Sequence, residues 1–312
     1  MKVFLTGGTG FIGSYIVKLL SKNGFEVTIL ARNPNKVPEL KSLKGVTIIQ
    51  GGIEDLDTIR KYMKNQDICI HVALHWGDSA REMLLNDTQS SVTLFELAAE
   101  SGVREIIYTS STAVNDSIYM DPDAVRSGED MNVYEHTKQR PVTFYGATKG
   151  ASELYLNAVA FKYKLKANIV RPGYTFGSPV VEGGSIQSDR RFHDIVERVA
   201  MGRDVEIIKN DGTQFIWAGH LAEIYLAILK SNVRGKMYFG LGNRFITWEE
   251  IAAEAISRLN SKSTIILRNL GWSDKPALFD VSAIRKDFGF SFDAWRNIQQ
   301  HIDYLGKIIT KS

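Results

Sequence analysis

Seven residues near the start of the chain, Gly7-Gly8-Thr9-Gly10-Phe11-Ile12-Gly13, restrict the fold more than any other feature. They follow a short apolar run, Val3 to Thr6, and open an amphipathic segment, Ile12 to Ser21. A chain that turns this tightly from strand to helix needs glycine where the backbone reverses and where it meets other backbone. A helix begun at about Phe11 aims free N–H groups and the positive end of its dipole at whatever lies before it. The spacing predicts a pyrophosphate cradle made by Gly7, Gly10, Phe11, Ile12 and Gly13. A glycine trio alone is a weak signal. Placed after a first strand and before a patterned helix, it is a strong one.

The rest of the first half keeps the same rhythm. Val27 to Leu30, Val46 to Gln50, Ile68 to Val72, Ile106 to Ser110 and Asn168 to Arg171 read as further strands. Between them, Asp55 to Lys64, Leu84 to Glu100 and Tyr145 to Tyr163 read as helices. Near-continuous apolar strands alternating with helices predict an α/β fold, a doubly wound parallel sheet covered on both faces. After Arg171-Pro172-Gly173 the rhythm breaks, and helical patterns return near Trp248 to Leu259, Val281 to Phe288 and Phe292 to Lys307. The expected division is a dinucleotide-binding domain of residues 1–172 with about 213–242, and a smaller C-terminal substrate lobe of about 173–212 with 243–312.

Composition sets limits on function. The net charge is +3 and the basic residues are dispersed, which leaves no electrostatic footprint for nucleic acid or an anionic membrane. No apolar run is long enough to span a bilayer, and Met1-Lys2 leads straight into a strand rather than a secretory signal, so the expected location is cytoplasmic. Cys69, the single cysteine, lies in an apolar run and is expected to be buried and inert. The six histidines show no metal-ligand spacing, so no metal is expected.

Arg32 ends the second strand, where an acid would hold ribose hydroxyls and an arginine accommodates a 2′-phosphate. With Lys36 nearby it favours NADP over NAD; the alternative is a pair of solvated surface charges. Tyr145 and Lys149 are four apart, hence on one helical face. A neighbouring cation favours a phenolate. A phenol so placed can take a proton from an alcohol, or return it to a ketone, while hydride moves to or from a nicotinamide. Lys149 can also bind the nicotinamide ribose. Ser111, just past the fifth strand, can donate a hydrogen bond to the reacting oxygen.

Together these residues resemble the extended short-chain dehydrogenase/reductase family, and particularly its NAD-dependent epimerase/dehydratase branch, over nearly the whole chain. The glycine turn matches as Gly7, Gly10 and Gly13. Asp67-Ile68-Cys69-Ile70-His71-Val72-Ala73 matches the fourth-strand signature, and Tyr108-Thr109-Ser110-Ser111-Thr112-Ala113-Val114 the fifth strand and its serine. Pro141, Tyr145 and Lys149 match the proline–tyrosine–lysine pattern, with Glu153 following, and Arg171 to Gly177 resembles the segment that lies against the nicotinamide. The resemblance implies a Rossmann-type fold, catalytic roles for Ser111, Tyr145 and Lys149, cofactor contacts at Ala73 and Pro172, and a homodimer. The dimer would use the helices at Leu84 to Glu100 and Tyr145 to Tyr163, which carry Leu94, Phe95, Leu154, Leu156 and Phe161.

Several positions depart from the family pattern. Gly51-Gly52 stands where Gly-Asp would contact adenine. Thr112 and Ala113 replace the acidic pair of the dehydrating enzymes, which disfavours loss of water. Asp211 to Trp217 contains no diphosphate-binding arginine, and Gly219-His220 replaces an acidic pair. The stretch from Asn115 to Phe144 is expected to cover the substrate, with an inert surface excursion as the alternative, and its acids (Asp116, Asp121, Asp123, Glu129, Asp130, Glu135) outnumber Arg126, Lys138 and Arg140. His75 and Trp76 fall at the ligand-binding end of the sheet and are expected to pack rather than react. The expected activity is NAD(P)-dependent epimerisation or oxidoreduction of a sugar derivative or similar small molecule. A one-way NADPH-dependent carbonyl reductase is the alternative. A non-catalytic dinucleotide sensor has no use for the serine, tyrosine and lysine together.

Overall fold

In the computed structural model, which describes residues 1–120, 132–182 and 184–310, a seven-stranded sheet is wrapped by helices on both faces. β1 (Lys2–Thr6), β2 (Glu26–Ala31), β3 (Val46–Gln50), β4 (Ile68–His71), β5 (Glu105–Thr109) and β6 (Lys166–Pro172) are joined by an edge strand, Met237–Gly240. The order across the sheet is the edge strand, β6, β5, β4, β1, β2, β3, and every pairing is parallel. The order reverses between β1 and β4. Their carboxyl ends therefore leave a crevice not crossed by a connection, where ligands of open α/β sheets bind.

The strands alternate between two cores, as a period of two requires. Val3 and Leu5 of β1 and Ile68 and Ile70 of β4 pack with the first helix (Phe11–Lys22) and the helix Ala218–Lys230. Phe4, Cys69, Ile106 and Tyr108 point the other way, against Leu94 and Phe95 of Gln89–Glu100 and Leu156 of the tyrosine helix, Phe144–Tyr163. Cys69 is fully buried, and burial pushes its thiol up to about 12, as expected of an inert cysteine. A third core gathers Phe192, Phe215, Trp248, Ile251 and Ile298 among the helices Arg191–Ala200, Trp248–Arg258 and Trp295–Ile309. This cluster stands beside the carboxyl edge of the sheet and walls one side of the crevice.

Two features differ from the sequence reading. The segment Leu84 to Glu100 is not one regular helix: a turn at Ala80–Met83 leads into a π-helical turn, Leu84–Thr88, before the regular helix begins at Gln89. The helix Ala218–Lys230 and the edge strand were not separately legible. The buried residues of that helix, Ala218, Leu221, Ala222, Ile224, Tyr225, Ile228 and Leu229, share one side, but the half-buried Leu226 and Ala227 on the other side blur the stripe that marks a helix in sequence.

Candidate active site

The glycine turn is built as its sequence predicts. Gly7 has φ +75°, and the Gly10 N–H donates to the Gly7 carbonyl at 2.9 Å, closing the turn. A Cβ on Gly13 would stand 2.1 Å from the Gly7 oxygen, so only hydrogen fits there. Gly10, at the N-cap of the first helix, offers no side-chain acceptor to the helix N–H groups. They face a cleft of about 490 Å³ lined by Gly7, Gly10 to Gly13, Arg32, Lys36, Ala73, Lys149 and Pro172, among others. A cradle that no Cβ could share, with open donors at a helix start, fits the diphosphate of a dinucleotide. Arg32 and Lys36 are exposed on its rim. Gly51 and Gly52 also line the cleft, whereas Asp55 caps the next helix, accepting from the Thr58 N–H at 3.1 Å.

Three local devices bring Ser111, Tyr145 and Lys149 to the inner end of this cleft. Ser111 follows β5 and accepts from the Ala113 N–H at 3.1 Å, opening a single 3₁₀ turn, Thr112–Asn115. Gly146 then lets the tyrosine helix lie directly on that turn, since a Cβ there would stand 2.0 Å from the Ala113 oxygen. Thr143 caps the helix by accepting from the Gly146 N–H at 3.0 Å. Asp116 fixes the cap: its carboxylate accepts from the Val142 N–H at 2.6 Å and the Thr143 hydroxyl at 2.5 Å. Asp116 is buried, so it belongs to the scaffold and does not present charge on a covering loop. Asp121, Asp123, Arg126, Glu129 and Asp130, which carry much of the expected charge of that loop, lie outside the described residues.

A buried network holds the helix from its other side. The Arg171 guanidinium forks onto the Glu153 carboxylate at 2.8 and 2.6 Å and donates to the Asn115 side-chain oxygen at 3.1 Å. Asn115 in turn donates to the Lys138 carbonyl at 2.9 Å. Paired, charge-assisted bonds of this kind fix orientation as well as distance. They lock β6, the serine turn and the tyrosine helix together.

Lys149 is buried, and its ammonium meets the Asp87 carboxylate at 3.2 Å. The same ammonium lies 5.2 Å from the centre of the Tyr108 ring and 5.9 Å from that of Tyr145. Burial pulls the ammonium toward its neutral form, but Tyr108, Asp87 and Tyr145 push it further the other way, so it stays protonated. The second Asp87 oxygen accepts from the His75 N–H at 2.9 Å. Asp87 thereby ties the lysine to the loop after β4. That loop carries Trp76, whose ring lies 5.7 Å from the Tyr145 ring at 35° and is 59% exposed. His71 stands between the Thr6 hydroxyl (2.7 Å) and the Ser91 hydroxyl (2.9 Å). Burial, with the Lys149 charge beside it, lowers its pKa to about 3, which keeps the imidazole neutral. The Thr6 hydroxyl also accepts from the Ala73 N–H at 3.3 Å and sets the cleft side of the same loop.

The sequence reading did not single out Asp87, and it set Trp76 aside. One signal was available for the first: Asp87 shares a helical face with Ser91, Leu94 and Ala98, and an acid on a core-facing stripe demands a partner. Among the described residues, one side-chain group has metal-ligand reach: His193, Asp194 and Glu197. The Arg190 guanidinium already bonds across it, to His193 at 3.0 Å and Asp194 at 3.3 Å.

Beyond the trio the cleft opens into a second cavity of about 1000 Å³, walled on its far side by residues such as Phe245, Trp248 and Trp272. Leu74, Ser111, Tyr145, Gly173, Gln187 and Ser188 line both spaces. A half-buried phenol with a serine hydroxyl beside it, at the opening between a phosphate-binding cleft and a second pocket, can exchange a proton with a group in that pocket.

Comparison with known proteins agrees with this arrangement. Residues 3–239 match the model of the NAD dependent epimerase/dehydratase family. A UDP-glucose 4-epimerase of Neisseria meningitidis serogroup B is 35% identical over 171 residues, covering 51% of this chain and 48% of that protein. An uncharacterized protein of Saccharomyces cerevisiae is 28% identical over 261 residues, covering 81% of this chain and 78% of that one. The chain thus spans about half the length of the first of these relatives. The crystal structure of a UDP-glucuronic acid 4-epimerase from Bacillus cereus in complex with NAD superposes with a TM-score of 0.81 at 18% identity. The match covers 99% of this chain and all of that one, and it shows a shared fold. With its glycine cradle and its serine, tyrosine and lysine at one crevice, this chain belongs to the NAD dependent epimerase/dehydratase family.

Proposed function

We propose that the protein catalyses reversible oxidoreduction at a secondary alcohol or ketone, with Tyr145 as the acid–base group. One observation carries the proposal: Tyr145 and Ser111 stand where the cofactor cleft meets the large cavity, with the Lys149 cation 5.9 Å from the phenol ring. The cofactor, when bound, supplies or takes up hydride. Tyr145 moves the proton at the substrate oxygen, Ser111 donates a hydrogen bond to that oxygen, and Lys149 holds the phenol's surroundings positive. Gly7, Gly10, Phe11, Ile12 and Gly13 would hold the diphosphate, and Ala73 and Pro172 would flank the nicotinamide end. Residues 1–172 with about 213–242 act as the cofactor-binding domain, and the rest as the substrate lobe.

Epimerisation of a sugar derivative is the leading reading, supported by family membership and by relatives that are themselves epimerases. One-way reduction with NADPH is the second, favoured by Arg32 and Lys36 on the rim of the cleft. Cofactor retention separates them: an epimerase keeps its cofactor through gel filtration, and a reductase releases it at each turnover. On either reading NADP(H) binds more tightly than NAD(H), and Arg32→Asp reverses the order, because an aspartate there repels the 2′-phosphate. Equilibrium titration of both cofactors tests this, and equal affinities contradict it.

The site is proposed to act in the cytoplasm; no helix among the described residues is long and apolar enough to cross a membrane. A homodimer is proposed through the outer face of the tyrosine helix. Of the five apolar residues that suggested it, Leu94, Phe95 and Leu156 are core residues, while Leu154 and Phe161 are 63% and 88% exposed. Tyr155 and Leu84, also exposed, extend the apolar surface.

A further inference from the structure

The two spaces that meet at Tyr145 treat negative charge in opposite ways. In the cofactor cleft a helix start is left open at Gly10 for phosphate. In the large cavity, protein oxygens already bond to N–H groups at four of the helix starts along the wall. Thr143 accepts from the Gly146 N–H, Ser111 from the Ala113 N–H, and the Asp189 carboxylate from the Arg191 N–H at 2.9 Å. At Trp248 the backbone N–H donates to the Asp211 carbonyl at 2.9 Å, and Thr247 and Glu250 close a capping box around the same turn. A phosphate entering here meets four helix starts whose N–H groups already bond to protein oxygens.

Side-chain charge points the same way. The described lining residues include four acids (Asp78, Asp116, Asp189, Asp211) and two cations (Arg191, Lys275). Asp116 is buried in the helix cap and Asp211 is paired with Arg191, which leaves the exposed Asp78 and Asp189 against Lys275. Arg191 is committed elsewhere: its guanidinium is bonded to the Asp211 carboxylate and lies 4.5 Å above the Trp248 ring. What the cavity does offer is aromatic surface. Trp76, Phe144, Tyr174, Phe245 and Trp272 face it, and Trp76 already stands over Tyr145. Flat apolar faces of a ring stack on such side chains, and its polar edge is left for Ser111 and Tyr145.

We propose that this cavity takes an uncharged, phosphate-free substrate: a ring bearing a hydroxyl or ketone, with apolar faces that stack on the aromatic wall. The assignment rests on the reading of Tyr145 and Ser111 as the reacting end of the pocket. It sets the pocket apart from one built for a nucleoside diphosphate, whose two phosphates would face a net acidic lining.

Calorimetry on the full chain saturated with NADP(H) tests it with three probes: decalone (an uncharged fused-ring ketone), UDP and UDP-glucose. Decalone is expected to bind saturably and the two nucleotides to give no binding heat. Phe245→Ala is expected to weaken decalone binding by about tenfold, the loss of one stacked ring, while cofactor affinity stays within a few-fold. Saturable binding of UDP or UDP-glucose overturns the proposal, as does failure of decalone to bind or indifference to Phe245→Ala. The reading of Tyr145 fails separately: decalone that binds but never consumes reduced cofactor refutes the chemistry and leaves the cavity assignment standing.

Discussion

At the scale of single residues, the site is a set of charges and hydroxyls that cannot be separated from their partners. Lys149 is held in a buried position by the Asp87 carboxylate 3.2 Å away, and removing one partner of such a pair leaves an uncompensated charge in the interior. Asp87→Ala should therefore destabilise the protein by about 3–5 kcal/mol in urea titration. Replacing Lys149 with Met in the same chain should recover part of that loss. An Asp87→Ala variant as stable as the parent contradicts the ion pair. Which residues could be read in advance follows from chain distance. Gly7 to Gly13 and Tyr145 to Lys149 carry their meaning in spacings of a few residues, within one turn or one helix. Asp87 and Lys149 are 62 residues apart, and only the packing of two helices joins them. The Arg171–Glu153 fork, between β6 and the tyrosine helix, was hidden for the same reason.

At the scale of elements, the geometry depends on how closely the tyrosine helix lies on the serine turn. Gly146 permits the contact, and a methyl group there would meet the Ala113 oxygen at 2.0 Å. Gly146→Ala should push the helix away, lower stability by about 1–3 kcal/mol as overpacking does, and reduce turnover while cofactor affinity is largely kept. Thermal unfolding, steady-state rates and cofactor titration measure the three effects; an unchanged rate contradicts the role given to this contact. The strands β1 to β6 were legible to within a residue or two because burial on both faces makes them continuously apolar. The π-helical turn at Leu84–Thr88 was not, because its residues follow an ordinary helical pattern. Its position, carrying Asp87 to Lys149, fits the frequent placement of such turns at functional sites.

At the scale of the whole molecule, a doubly wound sheet puts its crevice where strand order reverses, and residues of the C-terminal half, among them Phe245, Trp248 and Trp272, wall a cavity beside it. The parallel sheet was legible from strand–helix alternation, whereas the pocket wall was not, since Trp76, Tyr174, Phe245 and Trp272 come from four distant segments. The exposed face with Leu154 and Phe161 belongs to this scale too. Light scattering at micromolar concentration should give a dimer for the native chain and a monomer for Phe161→Glu; a native monomer contradicts the proposed assembly. The central claim, proton transfer by Tyr145, is tested most directly by Tyr145→Phe. Single-turnover oxidation of bound NAD(P)H by an uncharged ketone that the native protein reduces should slow by roughly 10²–10⁴-fold, the usual contribution of a general acid–base group. Cofactor affinity should stay within a few-fold, because the diphosphate is held at the glycine turn. A Tyr145→Phe variant that turns over at the native rate would contradict the account.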